Sequence, residues 1–192
     1  LTMRSDEAIK ANAAKLRGFF ATEFNNYILL HQHKGAGFIY RYPLVQYKMI
    51  NDAPFILSIN EDVDVLENIY DKCHSIKLGR NSYEIMEKTI KVKEEEFGIQ
   101  NRNIDYHFLS PWLALNERNH ERYAGIKDWA ERKAFLSKIL IGNIISMSKG
   151  LGYTVPEPIK ASIGYLREVR TSLKGTPFLG FLGTFSVNFQ IP

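Results

Sequence analysis

Two histidines separated by one residue, in Leu29-Leu30-His31-Gln32-His33, are the side chains of this sequence best suited to chemistry near neutral pH. An unperturbed imidazole titrates near pH 6.5, so a pair can divide the giving and taking of a proton. On extended backbone alternate side chains point the same way, and two imidazoles placed so can also hold zinc or another divalent ion. A metal site needs further ligands. His74 falls on a predicted helix, and His107 and His120 lie far along the chain, so no third ligand stands out. The remaining reading is a pair of surface histidines, as His120 in Asn119-His120-Glu121-Arg122-Tyr123 is read. No P-loop, nucleotide-binding glycine fingerprint or serine-triad spacing occurs. The single cysteine, Cys73, cannot form an internal disulfide and reads as a small buried hydrophobe on an apolar stripe.

The elements around these histidines follow from periodicity and punctuation. Leu1 to Arg4 reads as the end of a strand, and Ser5 or Asp6 as the cap of a helix over about 7–24, with Ile9, Ala13, Leu16, Phe20 and Phe24 on its buried face. Residues 25–37 read as a loop, with Gly35 and Gly37 giving backbone freedom. Phe38 to Ile50, rich in aromatic and β-branched residues, predicts a long strand, with Pro43 favouring an edge or bulge. A short strand at Phe55 to Ile59, a helix with the stripe Leu66, Ile69, Cys73 and Ile76, and a strand from Tyr83 to about Phe97 follow.

That order, strand-helix-strand-strand-helix-strand, predicts a ferredoxin-like α+β domain over 1–99, with an open sheet face available to a ligand. A second unit over 100–192 is predicted from a strand at Ile104 to Leu115, a polar connection at Glu117 to Gly125, a helix at about 127–149 ended by Gly150 and Gly152, and a hairpin of Lys160 to Ser172 with Phe178 to Ile191. The second ferredoxin-like (RRM-like) domain is therefore expected to be incomplete at its C-terminus.

Composition is that of an ordinary globular protein: 45% hydrophobic and 24% charged residues over 192 positions, enough for two small domains. The longest apolar-leaning stretch, Phe135 to Met147, is interrupted by Ser137, Lys138, Gly142, Asn143 and Ser146 and falls short of the roughly 20 residues of a membrane span. No secretory signal pattern opens the chain, which starts at Leu1 rather than Met, so a trimmed chain with a cytoplasmic address is expected. The net charge of +4 is unevenly placed. Residues 1–49 hold seven Lys or Arg against three acids and residues 159–192 hold four against one, while residues 60–99 hold six against ten. A polyanion would find its cations at the two ends of the chain rather than in the acidic middle.

The stretch His31-Gln32-His33 followed by Phe38-Ile39-Tyr40-Arg41-Tyr42-Pro43-Leu44-Val45-Gln46-Tyr47-Lys48, with Lys15-Leu16-Arg17-Gly18-Phe19-Phe20 before it, resembles the CRISPR-associated repeat-RNA processing endoribonucleases of the RAMP superfamily, in the subgroup with a paired-histidine loop. The resemblance implies tandem ferredoxin-like domains and cleavage of CRISPR repeat RNA without a metal or other cofactor, leaving 2′,3′-cyclic phosphate and 5′-hydroxyl ends. It implies His33 as principal acid or base with Tyr40 as its catalytic partner. His31 then assists at a phosphate oxygen, and Lys34, nearest the loop, offsets transition-state charge with Arg41 and Lys48. RNA contacts are expected from Arg17, Arg41, Lys48, Tyr165, Arg167, Arg170 and Lys174; Tyr42 and Tyr47 read as packing residues. Repeat RNA is the expected partner, with other CRISPR effector subunits or a second copy of the chain as further ones. The family's glycine-rich loop near the C-terminus has no clear counterpart before Gln190-Ile191-Pro192. Two other functions fit the same residues: a non-catalytic RNA-binding subunit of a CRISPR effector complex, and a metal-dependent hydrolase built on the histidine pair.

Overall fold

A computed structural model of the chain describes residues 1–24, 33–34, 37–38, 42–60, 63–173 and 175–191. They form two compact units, Leu1–Lys93 and Glu94–Pro192.

In the first unit, strand β1 (Thr2–Ser5) leads to helix α1 (Ala13–Glu23). The helix starts later than the apolar pattern predicts because Asn12 supplies the cap. Its extended backbone turns the side-chain oxygen onto the Lys15 N–H at 2.9 Å, while Asp6 instead accepts from the Glu7 N–H. Ile9 is buried, yet from the chain before the helix rather than from it. Two short strands follow, β2 (His33–Lys34) and β3 (Gly37–Phe38), which pair antiparallel with His33 opposite Phe38. The predicted strand Phe38–Ile50 is shorter: β4 (Val45–Ile50) begins only after Pro43, whose ring cannot donate to a ladder. β4 joins β5 (Ala53–Ser58) through a two-residue turn in which Asn51 and Asp52 both have positive φ, 49° and 60°, the conformation that matches the twist of paired strands.

Helix α2 (Val63–Lys72) is followed by a hairpin that periodicity did not reveal, β6 (Ser75–Leu78) and β7 (Asn81–Thr89), turning at Gly79 with φ +72°. Cys73 and Ile76, read as helical, lie just beyond α2 and in β6. The strand predicted to run to Phe97 stops at Thr89. The sheet order is β4-β5-β1-β7-β6, every ladder antiparallel. Counting the β6–β7 ribbon as one strand, this is the second-third-first-fourth order of a ferredoxin-like domain. Met3, Leu16, Phe20, Ile56, Ile69 and Ile76 are fully buried between the sheet and its helices.

In the second unit β8 (Gly98–His107) begins six residues before the predicted strand and ends well short of Leu115. The predicted polar connection is a helix, α3 (Glu117–Gly125), whose N-cap Asn116 accepts from the Asn119 N–H at 2.9 Å. Its mean hydropathy is low because a single buried residue, Tyr123, anchors it, so no apolar stripe announces it. Helix α4 (Trp129–Gly150), capped by Asp128, buries Leu136, Leu140 and Ile144. Strands β9 (Ala161–Leu173) and β10 (Thr176–Gln190) form the long hairpin the sequence predicts. The order β8-β10-β9 is that of the first three strands of a ferredoxin-like sheet, and Phe181, Phe185, Val187 and Phe189 alternate onto the helix-covered side. Among the described residues no helix is long and apolar enough to cross a membrane.

Candidate functional site

The paired-histidine segment lies in sequence between α1 and β4. Of the residues singled out there, the backbone of His33 and Lys34 is placed, in β2 against Phe38 and Gly37 of β3, and Tyr40 follows β3 by two residues. His31, Tyr40 and Arg41 lie outside the described residues, as does Lys174 in the second unit. A ladder at His33 fixes the local chain direction. It pairs His33 and Lys34 with Phe38 and Gly37, and Tyr40 lies beyond the described pairing.

Downstream, Gln46 holds the approach to β4 in place. Its side-chain amide donates to the Tyr42 hydroxyl at 2.9 Å and to the Pro43 carbonyl at 3.4 Å, and the Ile59 N–H donates to the Leu44 carbonyl at 3.0 Å. Sequence reasoning gave Gln46 no role; only the i, i+4 spacing to Tyr42 hints at it. Tyr42 is thereby a packing and hydrogen-bonding residue, as read.

The sheet separates two of the predicted cations. Tyr47 pairs with the buried Ile56 on the helix-covered face and stacks on Phe20 of α1, with centroids 5.9 Å apart. Burial pushes its hydroxyl pKa far above the ordinary tyrosine value, against which the nearby Arg17 guanidinium acts. Arg17 therefore belongs to the helix side. Lys48 pairs with Phe55 on the opposite, open face, and although the residue is exposed as a whole, partial desolvation draws its ammonium below the usual lysine range. The two are not one cationic cluster.

In the second unit Tyr165 and Arg167 share the open face of β9 and both are exposed, Tyr165 to 65%. Arg170 does not join them. It has the parity of Glu168, whose carboxylate points to the helices, accepting from the Tyr123 hydroxyl at 2.6 Å and from Arg132 Nη1 at 3.0 Å. Arg132 also donates to the Ile126 carbonyl at 2.8 Å and lies over the Tyr123 ring. Desolvation and the Glu168 hydrogen bond hold the Tyr123 hydroxyl in its neutral form, so this network clamps α3 and α4 to β9 and is no proton donor to a substrate.

Cys73 is buried and its thiol pushed up to about 11, chiefly by desolvation, so it is no nucleophile at neutral pH. Among the described residues no group of three or more His, Cys, Asp or Glu is arranged to hold a metal ion.

The two halves match two family models. Residues 1–96 match the Cas6b N-terminal domain and residues 98–192 the Cas6b C-terminal domain. The fold superposes on a crystal structure of Cas6b with a TM-score of 0.87 and 36% identity, covering 94% of this chain and 83% of that one. It is also similar to the crystal structure of the CRISPR RNA processing endoribonuclease Cas6b, with a TM-score of 0.71 and 32% identity over 100% of this chain and 88% of that one. An uncharacterized protein of Methanocaldococcus jannaschii is 47% identical over 117 residues, which cover 61% of this chain and 79% of the relative.

Proposed function

The chain belongs to the Cas6b family, and we propose that it cuts CRISPR repeat RNA without a metal, through its paired-histidine segment. The observation that carries the reading is that both halves match this family while the first half holds the His31-Gln32-His33 and Tyr40 pattern. The unit at 1–99 then supplies the chemistry and the unit at 100–192 grips RNA.

RNA carries its own nucleophile. The 2′-hydroxyl loses a proton and its oxygen bonds to the adjacent phosphorus. The bond from phosphorus to the 5′-oxygen then breaks, and that oxygen takes up a proton. The protein has to accept the first proton, deliver the second and offset the charge on the crowded phosphorane between. His33 is the principal proton carrier and Tyr40 orients the 2′-hydroxyl by hydrogen bonding, the role that suits a phenol, whose unperturbed pKa lies near 10. His31 donates to a phosphate oxygen. Lys34, next to His33, supplies positive charge, and Arg41 and Lys48 contact the RNA backbone.

The products test the reaction type. Cleavage of a repeat-containing transcript is expected to leave a 5′-hydroxyl that polynucleotide kinase labels without prior phosphatase treatment, and an upstream fragment whose mass carries a cyclic phosphate. A 5′-phosphate with a 3′-hydroxyl would mean that water, not the 2′-hydroxyl, is the nucleophile, and would contradict the mechanism.

A further inference from the structure

The open face of the second sheet carries a built irregularity. Between the β9–β10 pairs Gly183↔Leu166 and Phe185↔Ile163 the register slips, so that Gly164 and Tyr165 together oppose the single residue Thr184. This is a β-bulge, a device that re-aims a side chain. Two glycines and one hydroxyl hold it. A Cβ on Gly183, whose φ is +146°, would fall 2.0 Å from the Tyr165 carbonyl oxygen, and one on Gly164 would fall 2.7 Å from Thr184 Oγ1. That same Oγ1 accepts from the Tyr165 N–H at 3.1 Å.

What the bulge displays is a large aromatic ring. Tyr165 stands 65% exposed on the side away from α3 and α4, while its neighbours Ile163 and Leu166 pack toward the core. On the other flank of Thr184, directly paired with it, is His107 of β8, also exposed. His107 is on the open side because the adjacent Tyr106 stacks on Phe185 in the core, with centroids 5.3 Å apart. Two residues along β9 from Tyr165, on the same face, is Arg167. The face thus sets an imidazole, a phenol ring and a guanidinium across adjacent strands. Asp105, two residues before His107, is the acid that borders it.

We infer that this face is a stacking site for unpaired RNA bases, with Tyr165 as the platform, His107 flanking it and Arg167 tracking the phosphates. The inference rests on the chain acting on RNA and adds where single-stranded nucleotides are held. Planar rings on an open sheet with a nearby cation suit splayed bases, which stack on aromatic faces with little sequence preference, and do not suit a duplex whose bases are already stacked. The bulge explains why two glycines stand inside long strands, where they otherwise weaken the ladder.

The test is equilibrium binding, read by fluorescence anisotropy, of a labelled homopolymer of about ten uridines to the full chain, with a perfect duplex RNA of matched length as comparison. Tyr165→Ala is expected to weaken binding of the single strand about tenfold, the usual effect of removing one stacking platform, and to change duplex binding less than twofold. Tyr165→Phe retains the ring and should bind like the parent. His107→Ala should weaken the single strand several-fold. Thr184→Val, which removes the hydroxyl that seats the bulge, should act in the same direction without touching any RNA-facing ring. Unchanged homopolymer affinity in both Tyr165→Ala and His107→Ala, or a Tyr165→Ala loss as large for duplex as for single strand, overturns the inference. Because no bond is cut in this assay, its outcome is independent of whether His33 carries the cleavage.

Discussion

Replacing His33 with alanine is expected to slow single-turnover cleavage of repeat RNA by about 100- to 10,000-fold, the range that a positioned proton carrier contributes. The measurement uses protein in excess over RNA, so that the observed rate is that of the chemical step rather than of product release. Binding of the same RNA should stay within a few-fold of the parent, because affinity for a polyanion comes mainly from Lys and Arg contacts to phosphates. The separation of the two numbers is the informative result. A variant that binds normally and cuts slowly has lost proton transfer; one that loses both has lost its fold or its grip. A cleavage rate within tenfold of the parent would remove His33 from the principal role and pass it to His31 or to a group outside the pair.

The second large effect is on stability. Phe181 has no exposed surface and sits where β10, the Trp112 segment and α3 converge: its backbone exchanges two hydrogen bonds with Trp112, at 2.8 and 3.0 Å, and its ring meets that of Tyr123 edge-on with centroids 5.4 Å apart. Phe181→Ala should cost about 3–5 kcal/mol, the transfer energy of the lost ring plus the cavity that neighbouring aromatics cannot collapse to fill. Set against the 5–15 kcal/mol of a typical domain, that is a large share of the stability of the second unit. Denaturant unfolding followed by tryptophan fluorescence reads it, since both Trp112 and Trp129 lie in that unit. A loss below about 1 kcal/mol would mean that the core relaxes around the truncation and that Phe181 is not its keystone.

The strands and helices with strong apolar alternation were legible in the sequence. Leu16 and Phe20 on α1 occupy the buried positions that their periodicity assigns, and α4 and the long hairpin form where the sequence predicts a helix and a hairpin, with Leu136, Leu140, Ile144, Phe185, Val187 and Phe189 buried. Elements whose existence depends on something other than periodicity were not. α3 rests on the Asn116 cap and one Tyr, the β6–β7 hairpin on a glycine with positive φ, and the late start of α1 on Asn12 outcompeting Ser5 and Asp6 as a cap. Helix caps and tight turns are decided by one or two hydrogen bonds, which a hydrophobic pattern does not encode.

The candidate site was marked in a different way. Residue type and spacing marked the histidine pair, and the resemblance gave it a reaction, but the grouping of the RNA-contact candidates needed the sheet. Parity alone places Tyr165 with Arg167 and turns Arg170 away with Glu168. The slip at Gly164 and the pairing of Thr184 with His107, on which the stacking face depends, exist only in three dimensions.

Cleavage in the presence of a chelator separates proton transfer by side chains from metal-ion chemistry. Repeat RNA incubated with the purified chain in millimolar-range EDTA should be cut at the rate seen with magnesium or manganese present, and the fragments should still end in cyclic phosphate, because proton transfer by side chains and attack by the RNA's own hydroxyl require no bound ion. Cleavage that stops with EDTA and returns on adding zinc, manganese or magnesium would exclude the metal-independent mechanism and make the histidine pair a metal ligand set instead.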